Sequence, residues 1–268
     1  MIKLRPVPVA RSVSLAAIRI ATIPLSRSAR SYVHALLAED LKPYAEKRWP
    51  HASIRYYAPG QWPFKRSAEG KPEMTNWIDS FPKNSVFWDI GSNVGVYTLY
   101  AASKGVRTCA FEPEASTFHL LQRNIDLNDL HGPATAFNIA LSDRTGMAGF
   151  QLSQLAIATP RHQVTDLVTS TNGLPCRIIA TMTGRDAAKI FDLPLPTHAN
   201  IDVDGNELLV LRGLPMEDLI EIKCEMRRND MAPKIVSMLD AAGFVTEGCL
   251  DLVNRSRDKA INYVFKRR

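Results

Sequence analysis

The sequence predicts an α/β fold, a class of mostly parallel seven-stranded sheet with helices on both faces. Three observations lead there. Short apolar runs at 86–90, 107–112 and 134–141 alternate with helical patterns at 96–102 and 115–128, which is the rhythm of βαβ units. Between the first of these strands and its helix lies a turn built on Gly91, Ser92, Asn93 and Gly95. Such a passage brings bare backbone N–H groups and a helix N-terminus towards a ligand. Polar residues then gather where strands end: Asp89, Glu112, Ser142 with Asp143, Asp202 with Asp204, and Glu225.

At 268 residues the chain has room for one α/β domain over 51–268 behind an extension over 1–50. The net charge of +6 resides in that extension, where nine basic residues face three acidic ones. Residues 51–268 carry 24 of each sign, so the body of the protein is not a basic nucleic-acid binder. The four cysteines are far apart and form no C-x-x-C pair. Cys109 and Cys224 sit in apolar runs and read as reduced and buried, which suits a cytoplasmic setting.

The first thirty residues hold no acid. Three readings stay open for them. Arg11, Arg19, Arg27 and Arg30 fall on about half a helical wheel, as on a helix lying on an anionic membrane surface. A cleaved organellar transit peptide has the same composition. A helix packed on the domain or on a partner chain is the third. The apolar run over 13–25 is too short and too interrupted to span a bilayer. A second helix is expected over 31–47, a short strand over 53–58, an irregular loop over 62–72 and a helix over 73–81. After the third strand at 134–141, residues 144–175 break the rhythm with a Thr-, Ser- and Gln-rich insertion holding one short hairpin near 147–152, the mark of a functional loop or lid. A strand at 176–182 and a helix at 185–191 follow. The fourth core strand is 199–204, then a helix at 205–213, the fifth strand at 219–226 and a helix at 231–243. Two closing strands at 244–253 and 260–266 pair antiparallel.

The spacing of the glycine turn decides between ligands. A nicotinamide enzyme of the dinucleotide-binding kind uses G-x-G-x-x-G. Here the pattern is D-x-G-x-N-x-G, running from Asp89 to Gly95 with the acid inside the strand end. That pattern resembles the first motif of the class I S-adenosylmethionine (SAM) methyltransferases. The resemblance implies a turn that leaves room for the methionine end of SAM and an acid, Asp89, that helps to hold its amino group. Glu112, followed by Pro113, then stands where a carboxylate can accept from the 2′ and 3′ hydroxyls of a ribose. Ser142 and Asp143 fit the adenine edge, or simply a turn before Arg144 and Gly146. Asn93 can bond the SAM carboxylate or its own turn. The expected cofactor set is therefore Asp89, Gly91, Ser92, Asn93, Gly95, Glu112, Pro113, Ser142 and Asp143.

The second signal is IDVDGNELLVLRG over 201–213. Alternation along a strand turns Asp202 and Asp204 the same way, with Glu207 one turn into the following helix. Methyl transfer to a hydroxyl needs the acceptor held in line and its proton removed late. A carboxylate supplies the base, and a like-charged neighbour raises its proton affinity. Asp202, Asp204 and Glu207 are the expected catalytic acids; an ordinary helix N-cap completed by Glu207 is the alternative. No metal site is expected, since the histidines show no ligand spacing; His162 and His198 read as surface residues, with a place near the substrate as the alternative.

In VFWDIGSNVGVYTLYAA, AFEPEASTFHLLQRNIDLN, NIALSDRTG and NIDVDGNELLVLRG, taken in order, the chain resembles the FkbM family of SAM-dependent methyltransferases over roughly 53–266. The resemblance implies SAM as cofactor and O-methylation of a hydroxyl on a sugar, glycan or related small metabolite. It also shows departures. The family's lysine before I-D-V is Asn200, its glycine-turn alanine is Ser92, an acid expected near Gly184 is displaced to Asp186, and an upstream Glu-Pro pair appears as Lys71-Pro72-Glu73. These motivate a second reading, a catalytically degenerate fold that serves as a binding or scaffold protein.

Overall fold

The computed structural model describes residues 21, 23–40, 44–153, 155, 157–159, 162–165, 173, 175–227, 231–249 and 260–268. The basic segment expected over 1–30 lies mostly outside the described residues, as do parts of the 144–175 insertion and of the strand expected to reach 253. Among the described residues no helix is long and apolar enough to cross a membrane.

The lead-in differs from expectation in two places. A helix spans Arg27–Asp40, but residues 44–47 are strand rather than helix: β1 (Tyr44–Arg48) pairs antiparallel with β2 (Ser53–Tyr57). The pairing is anchored by Ile54 and Tyr56, both buried in the core beside Ala45. Residues 61–68, expected as loop, form the helix Gln61–Ala68. Its Pro63 lies in the first turn, where a missing N–H costs nothing, so a composition that reads as a breaker is tolerated. A second short helix, Pro72–Asp79, then leads into the sheet.

The sheet is built as the sequence implies. β3 (Val86–Ile90) is followed by the helix Val96–Ser103, β4 (Arg107–Phe111) by the helix Ala115–Leu127, and β5 (Ala134–Phe137) completes one half. Alternation along β3 sends Phe87 and Asp89 to the face under the Val96–Ser103 helix and Trp88 and Ile90 to the other. Each face packs its own cluster, and each fully buried large side chain contributes about 1.5–3 kcal/mol.

The third strand was expected to run to 141. Instead it stops at Phe137, because the Asn138 side chain bonds the carbonyls of Glu112 and Pro113. The chain re-emerges as β6 (Ala140–Leu141) in a separate four-stranded sheet with β7 (Gly146–Gln151), β8 (Gln163–Thr165) and β9 (Cys176–Met182), in the order β6-β9-β7-β8. Among the described residues, the hairpin expected near 147–152 is a single strand, β7, whose partners β8 and β9 lie further along the chain. The helix Gly184–Ile190 returns the chain to the main sheet as β10 (His198–Ile201), followed by the helix Glu207–Gly213 and β11 (Glu221–Arg227). The helix Met231–Ala241, β12 (Phe244–Cys249) and β13 (Ala260–Arg267) close the chain.

The seven strands lie in the order β12-β13-β11-β10-β3-β4-β5. Only β13 runs against the others, paired antiparallel with both β11 and β12. Numbered by strand within this sheet, that is 3-2-1-4-5-7-6 from the β5 edge, the strand order of the class I methyltransferase fold. The chain leaves β3 in one direction and returns to its other side as β10, so the crevice opens between the carboxyl ends of β3 and β10.

Gly91 makes that crevice possible. Its φ is 82°, and a Cβ there would lie 2.0 Å from the backbone oxygen of Asp202. Gly105 has a similar φ of 80° with open space around it. We expect Gly91→Ala to cost more than about 3 kcal/mol, the sum of backbone strain and displacement of the β10 end, against about 1–2 kcal/mol for Gly105→Ala. Urea unfolding of the two variants checks this; equal losses would contradict the close approach.

Candidate active site

The carboxyl ends of β3, β4 and β10 converge on two adjoining cavities of about 180 and 290 Å³. Arg66, Gly91, Asn93, Asp202 and Glu225 line both, which makes them one cleft. The β3 turn forms its floor. The amides of Gly91 and Ser92 both donate to the carbonyl of Phe111, and the amide of Gly95 donates to that of Ser92. Asn93, in the left-handed region at φ 50°, uses its side-chain oxygen on the amide of Val94 and so holds the turn itself. The Ser92 hydroxyl lines the cleft and is buried with no hydrogen-bond partner among the described residues.

Asp89 is buried at the head of β3. Thr98 donates to one of its oxygens at 2.6 Å and the side-chain amide of Asn200 to the other at 2.9 Å. Asn200 sits beside Asp89 across the β3–β10 ladder, so the register delivers this contact. Burial raises the proton affinity of Asp89, and the bonds from Thr98 and Asn200 offset it. Asp89 also lines the cleft.

Glu112 faces the glycine turn from the end of β4. One oxygen accepts the amide of Asn93 and the other that of Glu114, both at 2.9 Å. Burial is the largest influence and carries its pKa up to about 7, against the pull of the two amides and with a push from Glu114 and Asp89. Pro113 lines the same cavity. Glu114 turns away. Although burial opposes its ionisation, hydrogen bonds from Thr117 and the charge of Arg177 hold its carboxyl below the usual range.

β10 ends at Ile201, so residues 202–205 are a turn and strand alternation does not govern them. Asp202 and Asp204 nevertheless line the same cavity. Asp202 is exposed to solvent at the cleft floor, which screens the influences on it. Desolvation there, then Glu225 and Asp204, push its pKa well up, and Arg66 and Lys71 oppose them. Asp204 adopts a φ of 54°, a conformation tolerated by Asp. Glu207 instead accepts the amide of Gly205 at 2.7 Å, is buried and lines neither cavity. The expected catalytic role is not supported: the bond ties Glu207 to the turn ahead of the helix, whose N-cap is Asn206.

Ser142 and Asp143 also lie outside both cavities. The Ser142 amide is spent on the carbonyl of Met182 and Asp143 is exposed, because the chain at β6 has joined the second sheet. Ile139, Ala140 and Leu141 line the cleft in their place, with Phe150, Thr159, His162 and Val164 of the insertion opposite. The imidazole of His162 is fixed by the amide of Ser153 at 3.0 Å and by the Thr159 hydroxyl at 3.1 Å. His198 is not a surface residue: it is buried, stacked on Phe81, and burial takes its pKa down to about 4.

Three further residues line the cleft without a local sequence signal for a site role. Arg66 sits on the helix read as a loop. Lys71 bonds Glu225 at 3.3 Å. Tyr97, one residue into the helix after the turn, accepts the amide of Lys71 at 3.3 Å. Only its place in the first turn beside the glycines could have marked it.

No family model matches the chain. Two relatives align over much of it. The hexuronic acid methyltransferase AglP of Haloferax volcanii is 28% identical over 188 residues, covering 69% of this chain and 72% of its own. Methyltransferase 1 of Beauveria bassiana is 27% identical over 163 residues, covering 54% of this chain and 65% of its own. Both relatives are named methyltransferases. Among solved structures, the precorrin-6Y C5,15-methyltransferase of Geobacter metallireducens is 15% identical with a TM-score of 0.44, covering 72% of this chain and 85% of that one.

Because the folded pKa of Glu112 lies above its ordinary 4.5, the folded state holds a proton that the unfolded chain releases first. Stability from this group is full below pH 4.5 and is lost as pH rises to about 7, by up to about 3 kcal/mol. We expect urea unfolding between pH 4.5 and 7.5 to show this decline in the natural chain and a flatter profile in Glu112→Gln. Parallel profiles would remove the assignment.

Proposed function

We propose that the chain is a SAM-dependent methyltransferase of the FkbM kind that methylates a hydroxyl on a sugar or related small metabolite. The observation that carries this reading is the buried Glu112 carboxylate. It is clamped against the glycine turn by the amide of Asn93, with an open cavity on its free side and Asp202 across the floor. The residues present fit the cofactor. Gly91 leaves a cradle that a Cβ would fill, and the Ser92 hydroxyl lacks a partner that a ligand atom would supply. Glu112 keeps lone pairs for two ribose hydroxyls, while Asp89 and the surplus of acids favour a cationic guest. The relative named for hexuronic acid supports a sugar-like acceptor.

When bound, SAM supplies a methyl group on a sulfonium, released to an acceptor oxygen as the carbon–sulfur bond breaks. Asp202 is the base in this reading. It lines both halves of the cleft, and Glu225 and Asp204 raise its affinity for the hydroxyl proton. A positioned base of this kind is worth about 10²–10⁴ in rate. Asp204 orients the acceptor from the neighbouring turn.

The test is isotopic methyl transfer from SAM into sugar acceptors. We expect Asp202→Asn to bind SAM within about threefold of the natural chain and to turn over at least about 10²-fold more slowly. Asp204→Asn should bind SAM as well and lose less. Normal turnover in Asp202→Asn would move the base elsewhere. The product's methyl should survive mild alkali, as an ether does; its loss would indicate an ester and contradict a hydroxyl acceptor.

A further inference from the structure

We infer that the acceptor carries a carboxylate, and that Arg66 receives it. The inference rests on the methyltransferase reading above and adds the chemical class of its substrate. Arg66 belongs to the helix Gln61–Ala68 and lines both cavities. With Lys71 it forms the cationic wall of a cleft otherwise edged by acids. Both cations carry an ion pair, Lys71 with Glu225 at 3.3 Å and Arg66 with Glu69, and they differ in geometry. Arg66 presents five N–H groups in a planar fork. One is bonded to the carbonyl of Ala158 at 3.3 Å and one is paired with Glu69, and the others have no acceptor among the described residues.

These two anchors fix the guanidinium. Ala158 is fully buried at φ 60° and its amide donates to the Thr117 hydroxyl at 3.1 Å, so the residue that takes Arg66 is itself anchored. A fork fixed in this way matches a carboxylate through two parallel hydrogen bonds and matches a neutral hydroxyl poorly. Its charge is felt by Asp202, so both groups bear on one space. A sugar acid held at Arg66 thereby brings a neighbouring hydroxyl to Asp202. Among the acids nearby, Glu225 is already offset by Lys71.

The test uses the full chain saturated with S-adenosylhomocysteine and titrated by calorimetry with methyl glucuronoside or methyl glucoside. The glucuronoside should bind at least tenfold more tightly than the glucoside. Arg66→Gln should remove that preference while leaving affinity for S-adenosylhomocysteine within threefold, and Arg66→Lys should restore part of it. Equal affinity for the two sugars, binding of neither, or an unchanged preference in Arg66→Gln would overturn the inference and leave the methyltransferase reading standing. So would an Arg66→Gln defect confined to S-adenosylhomocysteine, which would assign Arg66 to the amino acid end of the cofactor. No binding of S-adenosylhomocysteine by the natural chain would overturn both. A thermal melt of each variant separates these outcomes from a loosened Ala158 strap.

Discussion

The site depends on one approach between two backbones: the Gly91 turn meeting the carbonyl of Asp202. Any side chain at 91 would push the ends of β3 and β10 apart. With hydrogen there, the two strand ends close into a floor, and the groups that matter come into range without further adjustment. Asn200 reaches Asp89 by register, Glu112 reaches the Asn93 amide, and Asp202 faces the same hollow. Packing on both faces of the sheet makes the floor stiff; the chemistry is placed on its rim by topology.

The rim is electrostatically costly. Glu69, Asp89, Glu112, Asp202, Asp204 and Glu225 crowd one cleft against two cations, Arg66 and Lys71. Different devices keep the fold stable around them. Asp89 and Glu112 are held by hydrogen bonds, while Glu225 is paired with a lysine. Asp202 has neither, and its surroundings push its proton affinity up. An acid left in that state is suited to take up a proton, and a cleft with that surplus is suited to a sulfonium. Stability is given up where function needs it.

Much of this was legible in the sequence because the signals were local. The glycine turn, the period-two apolar runs and the acids at strand ends each follow from a few neighbouring residues, and they located Asp89, Gly91, Glu112, Asp202 and the sheet itself. What was not legible depended on distant partners. Residues 61–68 looked like a loop because Pro63 and Gly60 mask a helix that packs against the β1–β2 hairpin. The third strand seemed to run to 141 because nothing local shows that Asn138 is taken by the carbonyls of Glu112 and Pro113. That break carries Ser142 and Asp143 into the second sheet and away from the cleft. Glu207 and Asn93 stood between two readings at the level of sequence, and their hydrogen bonds give both to the backbone. Asn200 is the converse. It stands where the family resemblance led to a lysine, and the structure gives it work as the second anchor of Asp89.

The most direct measurement is a crystal structure of the chain grown with S-adenosylhomocysteine. The account predicts both ribose hydroxyls on the Glu112 carboxylate, the amino acid end over the Gly91–Val94 turn, and the sulfur facing Asp202. A nucleoside bound elsewhere, or a ribose with no contact to Glu112, would contradict it.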